Sequence, residues 1–121
     1  MARKPNPFGI REAPLNGAPG LAVRGEIDLL TVPSFESALD ATIRDTTGAV
    51  VLDLCDAEFL DSGGLNAILR ARALLAREDR ALAIVCPPGA VRRLFEVAGI
   101  ADLLFLYASR EEASAALVPA D

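Results

Sequence analysis

The chain contains no histidine. The commonest general base and the commonest nitrogen ligand for a metal are therefore missing, and a Ser-His-Asp type of catalytic centre has nothing to be built from. Cysteine is almost as scarce. Cys55 and Cys86 each close an apolar run and form no CxxC pair, so they read as small buried side chains kept reduced rather than as a disulfide or redox motif. Long hydrophobic runs are absent too: none reaches the roughly 18 to 20 residues needed to cross a bilayer, which excludes membrane insertion by a helix. Met1 to Pro7 is polar and proline-containing with no apolar segment behind it, unlike a secretory signal, and the expected compartment is the cytoplasm. Positive charge is the minority sign, with 12 Lys and Arg against 17 Asp and Glu for a formal charge of −5. That balance argues against nucleic acid as a partner and suits a basic protein surface. Internal repeats and low-complexity segments are lacking as well, and no residue pattern calls for a cofactor or a metal.

What remains is a chain of 121 residues, 52% hydrophobic, enough for one domain to bury a core without disulfide or metal staples. Residues 1–7 are expected to form a disordered tail and residues 8–118 the domain. Phe8 to Glu12 and Leu21 to Gly25 read as two strands, paired antiparallel across the turn signals of Asn16-Gly17-Ala18-Pro19-Gly20. Thr31 is a candidate N-cap with Pro33 in the first helical turn. Behind it Phe35, Ala38, Leu39 and Ile43 recur at helical spacing, leaving Glu36, Asp40 and Arg44 to face water. Val50 to Leu54 is apolar on both faces, the pattern of an interior strand with parallel neighbours. The helical run Leu65 to Arg77 places Leu65, Ile68, Leu69, Leu75 and Ala76 on one stripe, with Arg72 inside it and expected to snorkel outward. Arg77 to Arg80 reads as a solvated charge cluster and Ala81 to Val85 as the next strand. After Pro87-Pro88-Gly89, Val91, Leu94, Phe95 and Ala98 form a helical stripe stopped by Gly99, with Arg92 and Arg93 on its exposed face. Leu103 to Tyr107 reads as a last short strand, and Ser109 to Leu117 as a helix with a Ser109/Glu112 capping box. The expected architecture is α/β: a mixed four- to five-stranded sheet with an N-terminal antiparallel hairpin and about four helices.

The most informative stretch is Glu58-Phe59-Leu60-Asp61-Ser62-Gly63-Gly64-Leu65, between the interior strand and the next helix. Ser62 falls where that helix begins, beside backbone N–H groups that lack intrahelical partners and at the positive end of the helix dipole. Gly63 and Gly64 would leave the backbone there uncovered, so that another protein could approach the hydroxyl. The competing reading is that Asp61-Ser62 only caps the helix. An enzyme reading fails, because a nucleophile elbow needs a glycine two residues before the serine, and a phosphate-binding loop needs an earlier glycine and a lysine. Val51-Leu52-Asp53 has the look of a receiver strand ending in a phosphorylatable aspartate, Asp53. Such a domain needs an acidic pair after its first strand, and residues 8–16 supply only Glu12.

Val51-Leu52-Asp53-Leu54, Phe59-Leu60-Asp61-Ser62 and Gly64-Leu65 together resemble the signature of the STAS family, the sulphate transporter and anti-sigma factor antagonist domains. Gly25-Glu26-Ile27-Asp28, and Val91-Arg92-Arg93-Leu94-Phe95-Glu96-Val97-Ala98-Gly99-Ile100, agree with the same family in order and spacing. The resemblance is to its stand-alone bacterial anti-sigma factor antagonists. It implies that Ser62 is phosphorylated by a partner serine kinase that is also the anti-sigma factor. The unphosphorylated form would bind that kinase and release the sigma factor for transcription, and a serine phosphatase would be a second partner. Asp28, Asp61, Gly63, Gly64 and Asn66 would lie on the docking face, while catalytic groups, magnesium and nucleotide would belong to the kinase. Gly63 stands where a second Ser or Thr is common in the family, and Asn66 where a glycine is common. Accessory subunits of transport or stress-signalling complexes in the same family provide the alternative role.

Overall fold

The computed structural model describes residues 7–117. The tail expected at 1–7 lies outside the described residues except for Pro7, and so does residue 118 at the far end of the expected domain. Strands β1 (Gly9–Glu12) and β2 (Gly20–Ile27) pair antiparallel with Ile10 opposite Val23. Between them the Asn-Gly signal does what its chemistry dictates. Asn16 and Gly17 both adopt positive φ, 50° and 83°, and Leu15 and Ala18 exchange backbone bonds of 3.0 and 2.9 Å across the turn.

Helix α1 (Val32–Asp45) buries Phe35, Leu39 and Ile43, as its spacing predicts. Two expectations about its surface need correcting. Thr31 occupies the N-cap position of α1, as expected, but its hydroxyl makes no capping bond; it donates to the Glu26 carbonyl at 2.8 Å, because the preceding turn folds back on the end of β2. Glu36 and Asp40 do not simply face water but accept from the Arg70 guanidinium at 3.1 and 2.8 Å, since a second helix lies alongside.

Strand β3 (Val50–Leu60) is the centre of the sheet. Val50, Leu52 and Leu54 enter the main core, while Val51 joins a smaller one with Val85 and Ala113. This is why the run is apolar on both faces. The strand continues six residues past the expected end at Leu54, because β2 supplies parallel partners as far as Ile27 opposite Leu60. Between the pairs Ala22 with Asp53 and Arg24 with Asp56, and again between Gly25 with Ala57 and Glu26 with Phe59, β3 carries one more residue than β2. These bulges hide the alternation from a reader of the sequence.

Helix α2 (Ser62–Ala76) buries Gly64, Ala67, Ile68, Ala71 and Leu75. The stripe is rotated from the expected one. Small residues at Gly64, Ala67 and Ala71 let the helix sit close to the sheet, so Leu65 and Leu69 are only half-buried, Ala76 is exposed, and Arg72 is exposed off the buried face with no need to snorkel. Nor is the 77–80 cluster uniformly solvated. The Arg80 side chain is only 7% exposed and donates to the Gly48 carbonyl at 2.7 Å, the Ile43 carbonyl at 2.8 Å and the Thr46 hydroxyl at 2.8 Å. It thereby satisfies acceptors at the C-terminal end of α1 that no helical amide can reach.

Strand β4 (Leu82–Val85) and helix α3 (Ala90–Val97) follow, with Val91 and Phe95 buried and Gly99 at φ 75° ending the helix. Arg92 is not part of an exposed face; it folds back to the Cys86 carbonyl at 3.0 Å, whereas Arg93 is exposed. A short 3-10 turn (Ala101–Leu103) leads to β5 (Phe105–Tyr107) and then α4 (Arg110–Ala116). Ser109 caps α4 by accepting from the Glu112 amide at 3.1 Å, but the Glu112 carboxylate reaches one residue further than a capping box requires, to the Ala108 amide at 2.6 Å. The sheet order is β1-β2-β3-β4-β5, parallel except for the antiparallel β1–β2 pair, giving among the described residues one α/β domain of five strands and four helices. Among the described residues no helix is long and apolar enough to cross a membrane.

Candidate functional site

Two turns meet at the carboxyl ends of β2 and β3. The first runs from Asp28 to Thr31 into α1, the second from Asp61 into α2. Their backbones are joined where the Asp61 amide donates to the Ile27 carbonyl at 3.0 Å. Gly64 brings them closer still. A Cβ there would stand 3.0 Å from Ile27 Cγ2, tighter than ordinary van der Waals contact, so a side chain at this position would have to displace Ile27 or push α2 from β2. Gly64 is accordingly buried, and the expectation that it offers bare surface to a partner is corrected: it is a packing residue.

Within the second turn Asp61 and Ser62 divide the work. Asp61 is the N-cap, in extended conformation, and its carboxylate accepts from the Gly64 amide at 3.0 Å. Its own carbonyl takes the first helical bond, from Leu65, at 3.0 Å. Ser62 is the first helical residue; it is exposed, and its hydroxyl has no hydrogen-bond partner among the described residues. Gly63 is half-buried; a Cβ there would stand 3.2 Å from Asp61 Oδ1 and 3.9 Å from Val32, which places the second turn beside the start of α1. Asn66, one helical turn beyond Ser62, is exposed on the same side of α2.

Asp28 lies on the neighbouring turn, as expected, with its carboxylate engaged locally. Its Oδ1 accepts from the Leu30 amide at 3.0 Å and the Thr31 amide at 3.2 Å, and its own amide donates to Thr31 Oγ1 at 2.9 Å. This ordering holds two leucines in solvent, Leu29 at 82% exposed and Leu30 at 87%. Neither stood out in the sequence, although an apolar pair inside a strand-to-helix connection is a signal that could have been read.

Asp53 sits elsewhere. It is not near a strand end but fourth in an eleven-residue strand, 3% exposed, and paired with Arg110 of α4 at 2.7 Å. Burial raises its carboxyl pKa, but hydrogen bonds from Cys55 and the Arg110 guanidinium outweigh that and hold it below its ordinary value. Cys86 is buried as expected, whereas Cys55 is exposed, because β3 outlasts the core that covers its first half. Although the residue is exposed, partial desolvation of the Cys55 thiol, reinforced by its hydrogen bond to Asp53 and the charges of Asp53 and Asp56, pushes it up to about 12; burial pushes the Cys86 thiol up to about 11. No group of three His, Cys, Asp or Glu among the described residues could hold a metal ion.

With this geometry in place, comparison with known proteins gives a consistent result. The STAS domain profile matches residues 15–113. The chain belongs to the STAS domain family. Among curated STAS relatives, the anti-sigma-F factor antagonist RsfB of Mycobacterium tuberculosis (strain CDC 1551 / Oshkosh) is 30% identical over 109 residues, 90% of this chain and 88% of that protein. The anti-sigma-B factor antagonist of Staphylococcus aureus (strain NCTC 8325 / PS 47) is 33% identical over 82 residues, 68% of this chain and 76% of the relative. Among solved structures, an anti-sigma factor antagonist from Mycobacterium paratuberculosis superposes with a TM-score of 0.84 at 29% identity, covering 93% of this chain and 96% of the other. The STAS fold thus accounts for the five-stranded mixed sheet and its four helices.

Proposed function

We propose that this STAS domain is an anti-sigma factor antagonist whose docking on an anti-sigma factor serine kinase is switched by phosphorylation of Ser62. The observation that carries the reading is the exposed Ser62 hydroxyl, without a hydrogen-bond partner among the described residues, beside an aspartate that already serves the helix end. Had Ser62 been the cap, a kinase would have had to dismantle the start of α2 to reach it. With Asp61 in that role, the hydroxyl is available while the turn stays intact. The names of the relatives support the same role.

In the unphosphorylated state the Ser62 turn docks on the kinase, competing with the sigma factor that the kinase holds. Transfer of the ATP γ-phosphoryl group to the Ser62 oxygen, with loss of the hydroxyl proton and release of ADP, adds about −1.5 to −2 charge at pH 7. The helix dipole tolerates an anion at this end, so the phosphate leaves the fold nearly unchanged. Its effect falls on the interface. The added bulk and charge stand opposite the nucleotide phosphates that the kinase must align with the acceptor, and the complex is released. A serine phosphatase would restore the docking state. The domain itself contributes an acceptor and a surface; the magnesium, nucleotide and catalytic groups are the partner's.

The test is incubation of the purified domain with the source cell's anti-sigma factor kinase and ATP. The expected result is a gain of about 80 Da that Ser62→Ala abolishes, with loss of kinase binding on phosphorylation. A gain of mass that persists in Ser62→Ala, or tight binding by the phosphorylated form, refutes the switch.

A further inference from the structure

We infer that Leu29 and Leu30 form the apolar anchor of the docking face, and that the partner receives them in an apolar socket rimmed by cationic side chains; this rests on the kinase-binding role proposed above. Single exposed leucines are ordinary on protein surfaces, but two in succession, 82% and 87% exposed, are held out here by the turn itself. Asp28 Oδ1 takes the Leu30 and Thr31 amides, and the Thr31 hydroxyl is bonded to the Glu26 carbonyl at 2.8 Å, so the backbone that carries the leucines is ordered by that network. An anchor on an already ordered backbone loses less conformational freedom on binding than one on a mobile loop, which favours its use here.

Position and charge identify the occupant. The anchor turn and the Ser62 turn are joined through the Asp61 amide and Ile27 carbonyl, and Val32, two residues beyond Leu30, lies 3.9 Å from the Cβ position of Gly63. A protein that closes on the Ser62 hydroxyl therefore also meets Leu29 and Leu30. The turn that carries the pair contains Asp28, follows Glu26 near the end of β2 and is joined through Ile27 to Asp61, in a chain whose formal charge is −5. A cationic rim complements this acidic surface and an acidic one is repelled.

The experiment compares the full-length wild type, Leu29→Ser/Leu30→Ser and Ser62→Ala against the source cell's purified anti-sigma factor kinase, by calorimetry and by phosphorylation kinetics. The double variant is expected to keep the wild-type melting curve, to bind about 30-fold more weakly or worse, and to raise KM by a similar factor with kcat at saturation unchanged. Ser62→Ala is expected to bind like the wild type and accept no phosphate. Wild-type affinity is expected to fall as salt is raised. Wild-type binding and kinetics in the double variant overturn the anchor while leaving the switch at Ser62 standing, and salt-independent affinity overturns the cationic rim. Failure of the wild type to bind the kinase removes both the anchor and the proposed function.

Discussion

Asp61 caps α2 through the Gly64 amide at 3.0 Å, and by doing so leaves the hydroxyl of its neighbour Ser62 with no partner among the described residues. The two side chains are adjacent in sequence and equally suited to capping. Only one can take the extended Ncap conformation, and Asp61 does. Asp61→Ala is expected to destabilise the domain by about 1 kcal/mol, whereas Ser62→Ala should leave stability within about 0.5 kcal/mol of the wild type. Urea unfolding of both variants checks this, and a larger loss in Ser62→Ala would show that the serine holds the turn.

The adjacent glycines are expected to behave differently although they share a sequence environment. A Cβ at Gly64 meets Ile27 Cγ2 at 3.0 Å in a buried contact between helix and strand, so Gly64→Ala should cost about 1 to 3 kcal/mol despite alanine's better helix propensity. At Gly63 the nearest group is Asp61 Oδ1 at 3.2 Å, the oxygen that caps α2; a weakened cap is there offset by alanine's better helix propensity, and Gly63→Ala should change stability by less than about 0.5 kcal/mol. Thermal melts of the two variants should therefore separate clearly, with only Gly64→Ala melting several degrees lower.

Arg80 is expected to resist conservative exchange. Its planar guanidinium spans the Ile43 and Gly48 carbonyls and the Thr46 hydroxyl, a geometry that one ammonium group cannot reproduce. Arg80→Lys should lose about 2 kcal/mol, nearly as much as Arg80→Ala, in denaturant titrations.

The Asp53–Arg110 pair makes a prediction about acid. The folded Asp53 carboxyl lies below its ordinary 3.8, since the hydrogen bonds from Cys55 and Arg110 outweigh the upward push of burial. A carboxyl lowered by folding contributes its stability in full above its unfolded pKa, near 3.8, and loses it as pH falls through the lower folded value. Arg110→Met should cost about 2 kcal/mol at pH 7, because a buried carboxylate loses its charged partner. It should also flatten the decline of stability between pH 7 and pH 3, because burial is then less opposed and the folded pKa rises. Urea midpoints at both pH values read this directly, and an unchanged pH dependence would show that the pair is not the acid-sensitive group.

Much of this was legible before any coordinates. The Asn16-Gly17 turn, the periodicity of Phe35, Leu39 and Ile43, the run Val50 to Leu54, the stop at Gly99 and the cap at Ser109 each depend on interactions within a few residues, and such signals survive in one dimension. The position of Ser62 at the start of a helix is of the same kind. The bulges in β3 were not legible, because an extra residue in a strand has meaning only against the register of its partner. Arg80, Arg92 and the acidic pair Glu36 and Asp40 looked like solvated charge for a related reason: their partners are carbonyls and side chains, most of them brought near by the fold.

By itself, then, the sequence determined the class of fold, the order of its elements and the one turn where a hydroxyl could be offered to another protein. All of these follow from local propensity and periodicity. Tertiary structure alone decided which of Asp61 and Ser62 serves the helix, that Gly64 is spent on the contact with Ile27, and that the turn carrying the exposed Leu29 and Leu30 is joined to the turn carrying the serine. Each of those outcomes depends on where β2 lies relative to α2, a distance across the chain that no local pattern encodes.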